Sequence, residues 1–213
     1  MSKQRNGESM RSLYRDWMVS ILKRMVNRPE IISRTNALLW GLAWLIISTI
    51  GGWRLLLAPS GVVDYNVVGY MPLTHHLMLN CVVWICLASV VYLFMLLLNK
   101  KAQFVDSYAR LLFAHCPVTL MLLPVFVVGK IKYSMFVNDF MVLLHSDALT
   151  AVLMALFSVL IVVWTLYWSY TVFRRGVGRG GWTTWCSFIV GYYLASRFCV
   201  WVLDTVYQGF LAV

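Results

Sequence analysis

Few side chains in this 213-residue chain could do chemistry, and those few are scattered. His115 and Arg197 stand inside long apolar runs, where an ionisable group is costly and marks either a functional site or a specific packing partner. His115 lies four residues into its run and Arg197 six residues before the end of another. At about 1.5 Å of rise per residue, those positions are about 6 Å and about 9 Å from opposite faces of a membrane, so the two are not expected to pair. For His115 the simplest role is a hydrogen bond to a neighbouring helix. Arg197 can snorkel outward, pair with Asp204 on its own helical face, or meet Asp64, Asp139 or Asp147.

His75, His76 and His145 have no spacing that fixes a ligand set, so no metal or haem site is expected. The five cysteines, Cys81, Cys86, Cys116, Cys186 and Cys199, contain no CxxC pair and read as small apolar packing residues. The stretch Arg174, Arg175, Gly176, Val177, Gly178, Arg179, Gly180, Gly181 could cradle a phosphate, but it follows an apolar helix rather than a strand. It reads more simply as a flexible hairpin against lipid headgroups. No Walker loop, GxSxG, HExxH or paired carboxylates are present among only eight acidic residues, so no enzyme, cofactor or metal is expected.

The elements that carry these residues follow from composition. Hydrophobic residues make up 61% of the chain and charged residues 12%, about half the charge of an average soluble protein. Nearly charge-free runs occupy residues 37–53, 77–98, 111–128, 148–173 and 182–203, and Arg197 is the one charged residue inside them. At 17 to 26 residues, each is long enough to cross a hydrocarbon core as a helix, which needs roughly 20. The runs are continuous rather than alternating, which favours helices over barrel strands. The fold class is therefore all-α: a polytopic membrane protein with five transmembrane helices over residues 36–213, preceded by a basic segment over residues 1–35.

Lys and Arg set the orientation. Fourteen lie in the leading segment and in the second and fourth connections, including Lys100, Lys101, Arg174, Arg175 and Arg179, against Arg54, Lys130 and Lys132 on the other side. The N-terminus is expected in the cytoplasm and the C-terminus outside. The formal charge of +10 serves this topology and the attraction of anionic lipids. Its dispersal over three loops speaks against nucleic acid as a partner. The first run begins at residue 37, too far along for a secretory signal, and is expected to remain as an anchor.

Within the leading segment, Met10, Leu13, Tyr14, Trp17, Met18, Ile21, Leu22 and Met25 repeat at helical spacing, with Arg11, Arg15, Asp16, Lys23 and Arg24 opposite. Such a helix lies in the headgroup layer, its apolar stripe buried and its cations on anionic lipid, or it docks a cytoplasmic protein. Pro29 should end or bend it. Pro117 and Pro124 should kink the third span and free backbone carbonyls. The segment from Ile131 to Leu144 is too apolar for a loop and reads as an outer interfacial helix or an extension of the fourth span.

Taken together, Asn27, Arg28, Pro29 and Glu30 before the first span, Asn99, Lys100, Lys101, Ala102, Gln103 and Phe104 in the basic connection, Tyr108, Ala109 and Arg110, and a third span carrying Pro117 and Pro124 resemble the Yip family. These five-span membrane proteins are named for interacting with Ypt/Rab GTPases and have bacterial relatives. The resemblance implies a bacterial-type, non-enzymatic protein of the cytoplasmic (inner) membrane that shapes membranes or assists other membrane components. The eukaryotic Asp-Leu-Tyr-Gly-Pro type signature is absent and the leading segment is basic, so GTPase binding attaches to no residue. The expected function is a scaffold or adaptor acting through the leading helix and basic loops. The alternative is a small transporter or lipid-translocating subunit using the kinked third span, His115 and Arg197.

Overall fold

The computed structural model of the protein describes residues 28–211. The expected amphipathic helix, with Leu13, Tyr14, Trp17, Met18, Ile21, Leu22, Lys23 and Arg24, lies outside the described residues. The chain is helical almost throughout. A single turn, α1 (Arg28–Ile31), leads into α2 (Arg34–Leu55), and a short hairpin of β1 (Leu57–Pro59) and β2 (Tyr65–Val67) follows. Next come α3 (Leu73–Leu98), α4 (Phe104–Ala114), a 3-10 segment (Cys116–Leu122), α5 (Leu123–Asn138), α6 (Phe140–Ser146), α7 (Ala148–Val177) and α8 (Trp182–Leu211). Five stretches are long and apolar enough to cross a membrane: α2, α3, the composite Phe104–Asn138, α7 and α8. This is the architecture of a multi-pass membrane protein.

The spans outrun the apolar runs at several ends because caps, not hydropathy, stop a helix. Ser33 accepts from the Asn36 N–H and opens α2 ahead of the first apolar residue. Asp147 does the same for α7 through Thr150. Gly178, at φ 74, closes α7 in the left-handed conformation that glycine adopts freely, so Arg174 and Arg175 occupy its last turn. Asp147 also pairs with Lys132, and these hydrogen bonds hold its carboxyl well below the usual carboxylate range, at about 2.

Burial is arranged for acyl chains rather than water. The buried face of α2 is Ala37, Gly41, Ser48, Thr49, Gly52 and Leu55, nearly all small, while Leu39, Trp40, Ile46 and Ile47 point outward. A Cβ on Gly41 would stand 2.5 Å from Leu112 Cγ, so glycine is what lets α2 seat against α4. Close backbone approach through small residues is how helices associate where the surroundings are as apolar as leucine. Val127 is 85% exposed and Leu97 77%, surface that only hydrocarbon solvates without cost.

The third span is not one helix. The expected pair of kinks at Pro117 and Pro124 is instead a continuous 3-10 stretch between them. Pro117 cannot donate to Phe113 nor Pro124 to Leu120, so the α-ladder lapses over this interval. Each proline sits in the first turn of its own segment, where the missing N–H is not needed. Beyond it, α5 bends at Gly129, at φ 80. The apolar segment from Ile131 to Leu144 therefore forms the second half of α5 and most of α6. It is not an extension of the fourth span, because Asp147 breaks the helix before Ala148.

At the end of the bundle where α2 and α4 begin, Arg110 is 4% exposed and makes four hydrogen bonds. Its Nε lies 2.9 Å from both carboxylate oxygens of Asp106, one turn earlier on α4. Its Nη1 donates to Pro29 O at 2.8 Å and to Ile32 O at 2.6 Å. Arg175 of α7 approaches Asp106 at 3.7 Å. One buried guanidinium thus ties the start of the first span to the third, and its carboxylate partner reaches the fourth. At the opposite end the hairpin pairs Leu57 with Val67, and its own Leu57 and Ala58 are fully buried. The hairpin has no counterpart in the sequence reading.

Asp106→Asn keeps the shape of the clamp and removes the charge, leaving Arg110 buried without a counterion. It is expected to destabilise the folded protein by about 3 kcal/mol, read as an earlier unfolding transition in detergent, whereas trimming the outward-facing Leu39 to Ala moves that transition little.

Candidate functional site

Two features of the bundle could bind something: a basic face at the end where Arg110 sits, and a series of cavities deeper in the bundle that leads toward the hairpin. The basic face is assembled from distant parts of the chain. Asn99, which ends α3, donates through Nδ2 to Gly176 O at 3.0 Å, and Arg179 donates to Leu98 O at 3.4 Å. The connection carrying Lys100 and Lys101 is therefore held beside the one carrying Arg174, Arg175 and Arg179, and all five side chains are exposed. Ile31, Arg174, Arg175, Gly178, Arg179 and Gly180 line an open groove there of about 630 Å³.

Deeper in the bundle lies an apolar cavity of about 240 Å³, walled by Trp40 and Trp44 of α2, Phe113, Cys116, Pro117 and Leu120 of the broken third span, and Trp164 and Trp168 of α7. It exists because α2 and α7 barely touch: each packs on the 3-10 segment instead. Phe113 stacks on Trp168 with ring centroids 5.1 Å apart, and Trp164 meets Trp168 edge-on at 5.5 Å. Trp40 is 54% exposed, so the cavity opens sideways, into hydrocarbon for a membrane-embedded chain. Buried Trp168 Nε1 has no hydrogen-bond partner among the described residues.

Trp44 and Cys116 also border a second, polar chamber of about 20 Å³ with Ser48, Tyr65, Asn80, Trp84, His115 and Thr119. That volume suits a single water. Asn80 organises it: its Nδ2 donates to His76 O at 2.9 Å, and its Oδ1 accepts from Ser48 at 3.3 Å and Tyr65 at 3.4 Å. Tyr65 in turn faces a third cavity at the hairpin end, about 440 Å³, with Ser60, Asp64, Asn66, Tyr133 and Ser158 among its walls. Burial raises the Asp64 carboxyl above its ordinary range and pushes the Tyr65 hydroxyl up.

His115 thus lines a built polar chamber, but deeper than its place in the apolar run implied. Its helix starts at Phe104 rather than residue 111, because the Asp106–Arg110 pair carries two mutually neutralised charges into the span; His115 lies about 16 Å along it. The hydrogen bond expected to a neighbouring helix is not made by Nδ1, which is buried without a partner among the described residues. Arg197 is exposed on α8, makes no ion pair with another described residue, and lines none of these cavities. His145 Nδ1 sits 2.6 Å from Met141 O, all five cysteines are free, and no three His, Cys, Asp or Glu side chains among the described residues converge as metal ligands.

Several residues here went unsingled in the sequence: Trp40 with Trp44, Trp164 with Trp168, Ser48, Asn80 and Trp84. A signal existed for the tryptophans, since each pair is four apart on one helical face. The Asp106–Arg110 spacing was equally visible. No protein family, curated protein or solved structure matches the chain.

Asn80→Ala removes one acceptor shared by two hydroxyls and a donor to the backbone. It is expected to lower unfolding stability by about 1–2 kcal/mol, with Ser48→Ala costing little more once Asn80 is gone, as a double-mutant cycle in detergent measures.

Proposed function

We propose that this chain is a non-enzymatic, multi-pass scaffold or adaptor of the bacterial cytoplasmic membrane, of Yip-like type, that organises anionic lipids and a membrane or cytoplasmic protein partner through its basic face. The observation that carries this reading is the joining of two basic connections, more than 70 residues apart, by Asn99 to Gly176 and Arg179 to Leu98. Five cations on one face, three of them lining an open groove, suit a surface for anionic headgroups or an acidic partner segment, each cation near a lipid surface contributing about 1 kcal/mol. The excess of Lys and Arg on this side supports its assignment to the cytoplasm. On that orientation the leading amphipathic stretch, Leu13 through Arg24, adds a headgroup-embedded or partner-docking helix to the same face. Nucleic acid does not fit a surface whose cations flank apolar spans.

A second reading, a small transporter or lipid-translocating subunit, is favoured by one feature: the polar chamber around Asn80 and His115, bordered on either side by larger cavities through Tyr65 and Trp44. On this reading His115, rather than Arg197, contacts what is moved.

The readings separate by experiment. On the scaffold reading, Leu13→Glu with Trp17→Glu releases the leading helix from anionic liposomes, and Lys100→Glu with Lys101→Glu abolishes recovery of co-purifying proteins from mild detergent. Unchanged recovery in both variants contradicts it. Lipid or solute flux in proteoliposomes that disappears with His115→Ala, in protein that still folds, establishes the second reading.

A further inference from the structure

The basic groove and the aromatic cavity share a seam. One wall of each comes from the chain entering and forming the first span, Ile31 of α1 above and Trp40 with Trp44 of α2 below; the other comes from α7 and its end, Arg174, Arg175 and Arg179 above and Trp164 with Trp168 below. On α7 the positions 164, 168 and 175 fall within about 40° of arc, so Trp164, Trp168 and Arg175 form one stripe. Arg175 stands about 10 Å from Trp168 along the helix axis. Asp106, already fixed by Arg110, approaches the Arg175 guanidinium at 3.7 Å. α1 packs on α7 at the top of the seam, and the 3-10 segment forms the floor of the cavity below.

A cationic mouth over a sideways-open, aromatic-walled slot has the charge and polarity order of one molecule already present in any such membrane. Guanidinium groups match the oxygens of a phosphate. An acyl chain is the natural filling for a void walled by Trp40, Trp44, Phe113, Leu120, Trp164 and Trp168 that faces hydrocarbon. We propose that the seam between the first and fourth spans binds a single anionic glycerophospholipid, its phosphate at Arg174, Arg175 and Arg179 and one acyl chain in the tryptophan-lined cavity. The site deepens the scaffold reading, and rests on it only in taking the basic face as a headgroup surface.

The test uses the full chain in nanodiscs of phosphatidylcholine with a minority of phosphatidylglycerol, followed by native mass spectrometry of the ejected protein. One retained phosphatidylglycerol is expected. Arg174→Gln with Arg179→Gln should reduce its occupancy about tenfold or more. Leu120→Trp, which fills the cavity and leaves every arginine in place, should reduce it to a similar extent. Retention indifferent to Leu120→Trp, no retained lipid, or equal retention of phosphatidylcholine overturns the proposal. In case Leu120→Trp does not fold, unaltered protein supplies an independent readout: its tryptophan fluorescence should be quenched more by acyl-brominated phosphatidylglycerol than by the brominated phosphatidylcholine, and equal quenching contradicts the site. Recovery of protein partners by Lys100→Glu with Lys101→Glu, which spares the seam, reports on the scaffold reading alone, so the two can fail separately.

Discussion

A guanidinium buried where little water reaches must find every partner within the protein, and Arg110 does so with Asp106 and the carbonyls of Pro29 and Ile32. The requirement is unforgiving, because a buried charge without its counterion is among the costlier defects a fold can carry. Those carbonyls belong to the turn before the first span, and Asp106 belongs to the third. Satisfying Arg110 therefore fixes two spans at one level and starts both from the same side. Arg175, drawn to the same carboxylate, sets the end of α7 at that level too. The rest of the basic face hangs from this node, since the last turn of α7 also holds the connection after α3 through Asn99.

Lower in the bundle the controlling constraint is what the backbone can do around proline. Losing two donors seven residues apart turns the middle of the third span into a 3-10 coil, thinner than an α-helix and directed differently. The first and fourth spans rest on this coil without closing on one another, and the void that remains is lined by the large flat side chains of four tryptophans. The neighbouring polar chamber follows from the same geometry. With α2 brought close at Gly41, Ser48 and Asn80 meet inside the bundle, and His115 falls at the break where its ring faces the space between them.

How much of this was legible in the sequence depended on whether a signal was local. Five runs of apolar residues announced five spans, because hydrocarbon leaves the backbone few choices and charge marks the limits of each crossing. The ends were less legible: Arg110 and Asp106 looked like loop charges, and only their mutual neutralisation carries them into the helix and moves His115 deeper. Pro117 and Pro124 announced a disturbance, but not that it would be 3-10 throughout. Which face of α2 packs inward could be argued from its small residues at 37, 41, 48 and 52. That Trp40 and Trp44, on the flank beside those small residues, face Trp164 and Trp168 across a gap could not, because pairing between spans 120 residues apart leaves no trace in either segment alone. The hairpin at Leu57 to Val67 was hidden for a related reason, its strands being three residues long and stabilised by what lies beneath them.

Scaffold and lipid site alike presuppose a chain that crosses the bilayer five times, and the scaffold reading also requires its arginine-rich end in the cytoplasm. Single cysteines at Lys101, on the basic face, and at Tyr70, exposed after the hairpin, placed in an otherwise cysteine-free chain, probe this in sealed vesicles with a membrane-impermeant thiol reagent. The account requires position 101 to label only in inside-out vesicles and position 70 only in right-side-out ones. Labelling of both from the same face, or of position 101 from outside, contradicts it.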